Sequence, residues 1–448
     1  MRTTPERWTA LAVAGVIGAG LLAGASPAAR ADDESSVPPA PAPAVLAPLD
    51  LSAATPPTAA GISSAIGSLV TKSLKGGSVV IVDAATGTVL FNQQGSRAKI
   101  PASTAKLATA AAALDVLGPQ TRIPTVAYRL GDTIYLVGNG DPTLKRAAGG
   151  NPLAGGSASL RELSNAAVVG FTANSTIRLV YDASAFTGPR LGPGWSRSFP
   201  AAGVVAPVTA LVVDGGRVRP GANSRVSDPA KQAASVFAGF LRSQGLDVVS
   251  VQAGALAAAA TEIARVESPP IADIVQRMLT ESENNYAEAI AHLTGGKLLG
   301  DPSFGGGAAA TKQALTTLGI DTTGLSLVDG SGLSGRDRLP ARVLAAVLTD
   351  VVIATDPDLT SIGPGLAVAG LTGTLAGRFN TAATRPGRGV VHAKTGTLTG
   401  VTSLAGTVLD ADGRLLVFAM IANGVKSLAS ARDTMDRIAS RLATCGCS

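Results

Sequence analysis

PASTAKLATAAAALDVLG, from Pro101 to Gly118, is the stretch on which the reading of this 448-residue chain turns. A proline and a glycine bracket an alanine- and leucine-rich run of high helix propensity. Ser103 and Lys106 stand three apart near its start, so a helix puts both on one face. Ser103 also falls at the N-terminus, where the helix dipole favours developing negative charge. An amine beside a hydroxyl is one way to activate a hydrolytic nucleophile. The competing reading is a serine that merely caps a core helix. A second tetrad of the same form, Ser96-Arg97-Ala98-Lys99, comes just before it. There Ile100 and Pro101 follow at once, and proline pushes the residue before it out of the helical region. The tetrad alone is a weak signal, and context separates the two copies.

Two further elements strengthen the Ser-Lys reading. Ser282-Glu283-Asn284 is the only S-x-N in the chain and Lys394-Thr395-Gly396 the only K-T-G. The first opens or sits within a helical stretch from Ile271 to His292. The second ends a strand over Gly389 to Ala393, and Gly396 lets a ligand approach the backbone. Other ways of activating a nucleophile find less support. The chain has only two histidines: His292, one helical turn after Glu288, and His392, in a strand without an evident third ligand. No metal or other cofactor is expected. No G-x-S-x-G elbow occurs, which argues against an α/β-hydrolase triad.

Around these elements the chain reads as a globular body behind an export signal. Hydrophobic residues make up 46% and charged residues 15%, enough for a sizeable core and two or three domains. Aromatics are 3%, so packing rests on aliphatic side chains and close backbone approach. The net charge of +6 is scattered, without basic runs, and excludes a nucleic-acid partner. Arg2 and Arg7, an uncharged apolar run from Thr9 to Ala25 and the small-x-small site Ala29-Arg30-Ala31 read as a signal peptide over 1–31. This places the protein outside the cytoplasm. The alternative is an uncleaved segment that leaves the chain membrane-associated, although its apolar run only just reaches bilayer length. A Pro/Ala-rich linker covers 32–60. Cys445 and Cys447, the only cysteines, read as incidental thiols on a frayed tail.

The coarse secondary structure predicts a helix over Ile62 to Leu74, strands over Ser78 to Asp83 and Thr88 to Asn92, and the helix from Ser103 to Leu117. Short β-prone runs, Thr133 to Val137 and Thr176 to Tyr181, mark an inserted strand-rich domain over 125–225. Helices are expected over Pro229 to Gln244, Ile271 to His292, Ala308 to Leu318 and Pro340 to Ile353. Strands over Gly389 to Ala393, Ser403 to Leu409 and Leu415 to Ile421 precede a last helix, Ser427 to Leu442. The main domain then comprises 61–124 and 226–448. Its fold class is α+β, an antiparallel sheet flanked by helices.

S-x-x-K, S-x-N and K-T-G in this order resemble the penicillin-binding protein and serine β-lactamase superfamily. GNGDPTL (Gly138 to Leu144), YDASAFTG (Tyr181 to Gly188), GPGW (Gly192 to Trp195) and DGSGLS (Asp329 to Ser334) narrow the likeness to class C low-molecular-mass penicillin-binding proteins. Those are D-alanyl-D-alanine carboxypeptidases/endopeptidases. The likeness covers about Gly61 to the C-terminus, with Glu283 standing where the family often has Asp. It implies a β-lactamase/transpeptidase-like domain, peptidoglycan stem peptides as substrate and acylation by β-lactam antibiotics. It also implies the roles. Ser103 attacks the carbonyl between the terminal D-alanines and a neutral Lys106 takes its proton. This requires the lysine pKa to fall by roughly three pH units, about 4 kcal/mol, through burial and a second cation such as Lys394. Ser282 relays the proton to the leaving amine, and Asn284 holds the substrate amide and Lys106. Lys394, Thr395 and Thr397, beside Gly396, receive the terminal carboxylate, and the N–H groups of Ser103 and Thr397 form the oxyanion hole. A serine β-lactamase is the weaker alternative, since no E-x-x-L-N segment is present. A non-catalytic wall-binding or β-lactam-sensing protein is another, although it has no need of all four of Ser103, Lys106, Ser282 and Lys394.

Overall fold

A computed structural model of the chain describes residues 54–147, 158–353 and 356–448. The predicted signal peptide and most of the predicted linker lie outside the described residues. Helix α1 (Ala59–Ser73) leads into the hairpin β1 (Ser78–Asp83) and β2 (Val89–Gln93), and α2 (Ala105–Leu117) follows. The chain then builds a second layer from β3 (Pro124–Leu130), β4 (Thr133–Gly138), α3 (Leu160–Ala167), β5 (Thr176–Asp182), α4 (Pro229–Ser243), β6 (Asp247–Ala253) and β7 (Thr261–Glu267). It returns through α5 (Ile271–Glu281), α6 (Asn284–Leu299), α7 (Phe304–Thr317), α8 (Ala341–Ile353) and the single turn α9 (Ile362–Gly365). The short β8 (Ala367–Val368), β9 (Val391–Leu398), β10 (Val401–Leu409), β11 (Leu415–Asn423) and α10 (Leu428–Ala443) complete it.

The first and last segments form one six-stranded sheet in the order β2-β1-β11-β10-β9-β8, antiparallel throughout. Alternation along its central strands buries both faces. Leu416, Phe418 and Met420 face the cluster containing Ile62 and Ile66 of α1 and Met435 and Ile438 of α10. Val417, Ala419 and Ile421 face the cluster built from α2, α5, α6 and α8. Within that cluster α2 is buried continuously from Ala105 to Leu114. A helix buried on every side belongs inside a fold, and its alanines let neighbouring helices close on it, with Lys106 and Thr109 its buried polar residues.

The second sheet has five strands in the order β6-β5-β4-β3-β7, mixed because β4, β5 and β6 run parallel. The sheet packs on α3 and α4 around Phe237, Leu163 and Leu179. Its edge strands lie beyond Arg225, so the strand-rich layer extends further than the sequence reading placed it. We propose that the inserted domain runs from β3 to β7.

Two further differences have local causes. The helical stretch expected from Ile271 to His292 is broken at Ser282, which adopts a left-handed conformation (φ 59°, ψ 35°) between α5 and α6. The C-terminal tail is not frayed: the carbonyl of buried Cys447 accepts hydrogen bonds from the Thr58 N–H (2.6 Å) and hydroxyl (3.2 Å). Cys445 and Cys447 are joined as a disulfide, so their thiols are not free.

Candidate active site

Ser103 occupies a tight turn, Ala102–Thr104, that feeds into α2. Ala102 just before it has φ +49°, a conformation that costs energy in any residue with a Cβ and recurs at functional sites. Two hydroxyls pin the turn, since Thr104 Oγ1 (2.7 Å) and Ser403 Oγ of β10 (2.6 Å) both donate to the Pro101 carbonyl. The K-T-G strand presses on the same turn. A Cβ at Gly396 would come within 2.8 Å of the Pro101 oxygen and 3.0 Å of the Ser103 nitrogen, so only glycine fits. On the opposite side a Cβ at Gly332 would collide with the Ala102 carbonyl, which brings the Asp329 to Ser334 loop against the turn.

Lys106 follows one turn along and is fully buried. Its Nζ lies 3.1 Å from Ser103 Oγ, 2.7 Å from Asn284 Oδ1 and 2.8 Å from the Ser331 carbonyl oxygen. The last two atoms can only accept, and the Asn284 amide is oriented by its own Nδ2 donating to the Val204 carbonyl at 2.8 Å. A neutral amine that commits two N–H bonds in this way has its lone pair left for the third direction, toward the Ser103 hydroxyl. Burial pushes the Lys106 pKa from 10.5 down to about 8, against the opposing pull of Glu288, Asp329, Glu283 and Asp337.

Ser282 sits at the break between α5 and α6, and its left-handed backbone places its hydroxyl within 2.8 Å of the donating Lys394 Nζ. Lys394 also donates to the Thr395 carbonyl at 2.9 Å. It too is fully buried, and burial together with the charge of Lys106 drives its pKa well below the ordinary lysine value. Two buried lysines thus face a serine each. Behind them Glu288 accepts from the N–H groups of Ser331 (2.8 Å) and Gly330 (3.0 Å). Asp329 accepts from Gly332, Ser334 and the Trp195 indole, each at 2.7 Å. Burial and neighbouring Asp329 raise the pKa of both Glu288 and Asp337.

A cleft of about 430 Å³ opens onto this array, lined by Ser103, Ser282, Thr374, Thr395, Thr397 and Arg432 among others. Thr395 Oγ1 donates to Thr374 Oγ1 and Arg432 Nη2 to Thr397 Oγ1, both at 2.8 Å. All eight residues singled out from the sequence therefore converge here: Ser103, Lys106, Ser282, Lys394, Asn284, Thr395, Gly396 and Thr397. Sequence reasoning missed Thr374 and Arg432, which come from a short helical turn and a helix without motif, and the supporting carboxylates Glu288 and Asp337, while Asp329 opens the DGSGLS segment. Glu288 had a signal in its spacing from Asn284, one turn along the same helix. His292 takes no part: its Nδ1 meets the Glu288 carbonyl at 2.8 Å, its ring packs on Phe186 and Phe304, and burial lowers its pKa to about 4. Among the described residues no cluster of His, Cys, Asp or Glu could hold a metal ion.

Known proteins share this chain's sequence family and fold. Residues 69–225 and 219–445 match the family model described as the D-Ala-D-Ala carboxypeptidase 3 (S13) family. The chain is 36% identical to carboxypeptidase DacB of Mycolicibacterium smegmatis, over 98% of this chain and 95% of that one. It is 37% identical to a carboxypeptidase of Mycobacterium tuberculosis, over 93% and 92%. Among solved structures, penicillin-binding protein 4 of Haemophilus influenzae superimposes with a TM-score of 0.70 at 22% identity, covering 84% of this chain and 98% of that one. The same protein complexed with a β-lactam superimposes with a TM-score of 0.66, at the same identity and coverage.

Proposed function

The chain belongs to the D-Ala-D-Ala carboxypeptidase 3 (S13) family, and from that premise we propose a Ser103 acyl-enzyme mechanism for it. The protein is a serine-type D-Ala-D-Ala carboxypeptidase/endopeptidase acting on peptidoglycan stem peptides, and β-lactams acylate it. The observation that carries the mechanism is the three-way placement of Lys106 Nζ between one hydroxyl and two obligate acceptors.

In acylation the Ser103 oxygen attacks the carbonyl between the two D-alanines while its proton passes to neutral Lys106. The N–H groups of Ser103 and Thr397 face the oxyanion. The tetrahedral intermediate collapses by breaking the C–N bond, and the leaving amine takes up the proton that Lys106 releases through Ser282. Lys394 holds the Ser282 hydroxyl in place, and burial together with the charge of Lys106 favours its own neutral form. Thr395 and Thr397 at the cleft wall take the carboxylate of the leaving residue. Water then repeats the sequence on the ester, returning the proton to Ser103. A positioned general base of this kind contributes roughly 10²- to 10⁴-fold.

Chromatographic assay of free D-alanine tests this reading with a synthetic stem peptide ending in D-Ala-D-Ala. The account expects release by the native chain, and an inert native chain would contradict it. For location, residues 1–31 carry the signal pattern, and a wall-polymer substrate is met outside the cytoplasm. We propose export with cleavage after Ala31. N-terminal sequencing of the mature protein checks this, and a retained start would mean a membrane-associated form.

A further inference from the structure

Asn284 and Glu288 lie four apart on α6, hence on one face of one rigid element. Asn284 touches Lys106 directly. Glu288 does not bond Lys106. Its two carboxyl oxygens instead receive the successive N–H groups of Gly330 and Ser331, and the carbonyl of that same Ser331 receives Lys106 Nζ at 2.8 Å. We propose that Glu288 is a positioning residue for the Ser103–Lys106 pair, clamping the loop peptide whose carbonyl aims the lysine amine at the serine hydroxyl. The inference rests on the reading of Ser103 and Lys106 as nucleophile and base.

The arrangement has a clear physical purpose. Both acceptors that fix Lys106, Asn284 Oδ1 and the Ser331 oxygen, are referenced to α6, while the lysine and serine ride on α2 and its leading turn. If the loop moved relative to α6, one acceptor would shift without the other and the lone pair would swing off Ser103. A fully buried carboxyl is expensive to maintain unless paired or fully hydrogen-bonded. The loop already has other ties, since Asp329 holds Gly332 and Ser334, and Thr109 Oγ1 donates to the Gly330 carbonyl at 2.7 Å. A second acid on the Gly330 and Ser331 N–H groups adds what those ties leave open: the orientation of the Ser331 peptide itself.

Glu288 also has an electrostatic effect that a merely structural acid would lack. The titratable groups facing Lys106 are Glu288 on α6, Glu283 just before it, Asp329 and Asp337 on the loop, and Lys394 on β9. Glu288 is the strongest of the acids that favour the charged lysine. Burial and Asp329 raise the Glu288 pKa to about 8, the range in which Lys106 titrates, so removing the carboxyl lowers the pH at which Lys106 becomes neutral through the ionised fraction of Glu288.

The test is the rate of benzylpenicillin acylation, followed by intact mass from pH 5 to 10, in native protein, Glu288→Gln and Glu288→Asp, with thermal melting to normalise for folded protein. Glutamine keeps the shape but can accept only one of the two N–H bonds. The expectation is a tenfold to hundredfold slower acylation, the scale of a misplacement of about 1 Å, and an acid limb displaced toward lower pH. Aspartate keeps the charge but is too short to span both N–H groups, so acylation slows while the acid limb stays near that of the native protein. Folded variants with native rate and native pH profile overturn the inference. If the glutamine variant does not fold, the aspartate variant decides it on rate alone. A native protein that forms no adduct at any pH would instead overturn the catalytic reading on which the inference stands.

Discussion

Seven residues apart, the chain carries the same four-residue pattern twice, and the two copies end in opposite circumstances. Ser96 lies exposed in a turn after β2, while Lys99 is pulled away from it, pairing through its backbone with Leu339 and donating its Nζ to the Gly76 carbonyl at 2.9 Å. Ser103 and Lys106 share one face of the turn entering α2, with Nζ and Oγ 3.1 Å apart. Both lysines are buried and both have lowered pKa values. Burial alone therefore does not distinguish the two lysines. What distinguishes Lys106 is that its two other hydrogen-bonding directions are taken by groups that can only accept, leaving the third for the serine.

The comparison breaks most sharply at the serines. Ser103→Ala is expected to reduce D-alanine release by a factor on the order of 10⁴ to 10⁶, the scale on which removal of a nucleophile is felt. Ser96→Ala should leave release within twofold of native. Next in size are the lysines: Lys106→Met should slow acylation by roughly 10²- to 10⁴-fold, whereas Lys99→Met leaves the rate unchanged.

The same lysine sharpens the contrast through pH. Because the amine must be neutral, acylation should rise with pH up to about 8 and level off above it. Stability follows with a definite sign. The folded-state pKa lies below the unfolded one, so between about 8 and 10.5 the unfolded chain binds more protons and stability increases with pH. Below that window the charged lysine costs the fold about 3 kcal/mol. Lys106→Met should therefore raise the melting temperature at pH 7, an active-site residue held at the expense of stability. The smallest effect is at the other copy, where loss of the Lys99 hydrogen bond to Gly76 should cost about 1 kcal/mol in denaturant unfolding.

Much of this was legible in the sequence. Pro101 and Gly118 marked the ends of α2, and runs of apolar, β-prone residues marked β1, β10 and β11, because those elements are buried on both faces. The site was legible because Ser103, Ser282 and Lys394 sit in short motifs fixed by backbone geometry: a turn, a helix break and a strand against a turn. What was illegible lies where burial is slight or contacts are remote. β6 and β7 are edge strands with mostly exposed or half-buried side chains, so their alternation is faint. α3 has eight residues, yet it carried a signal in its capping box, Ser159 with Glu162. The break at Ser282 had no glycine to announce it. Arg432 reaches Thr397 from α10, and Cys447 reaches Thr58 across almost the whole length of the chain. No local pattern encodes contacts of that range.

The most direct test of the distinction between the two tetrads is peptide mapping of the benzylpenicillin adduct on native protein, with Ser96→Ala and Ser103→Ala alongside. The account predicts a single adduct on Ser103 that persists in Ser96→Ala and is absent from Ser103→Ala. An adduct on Ser96, or one that survives Ser103→Ala, would contradict it.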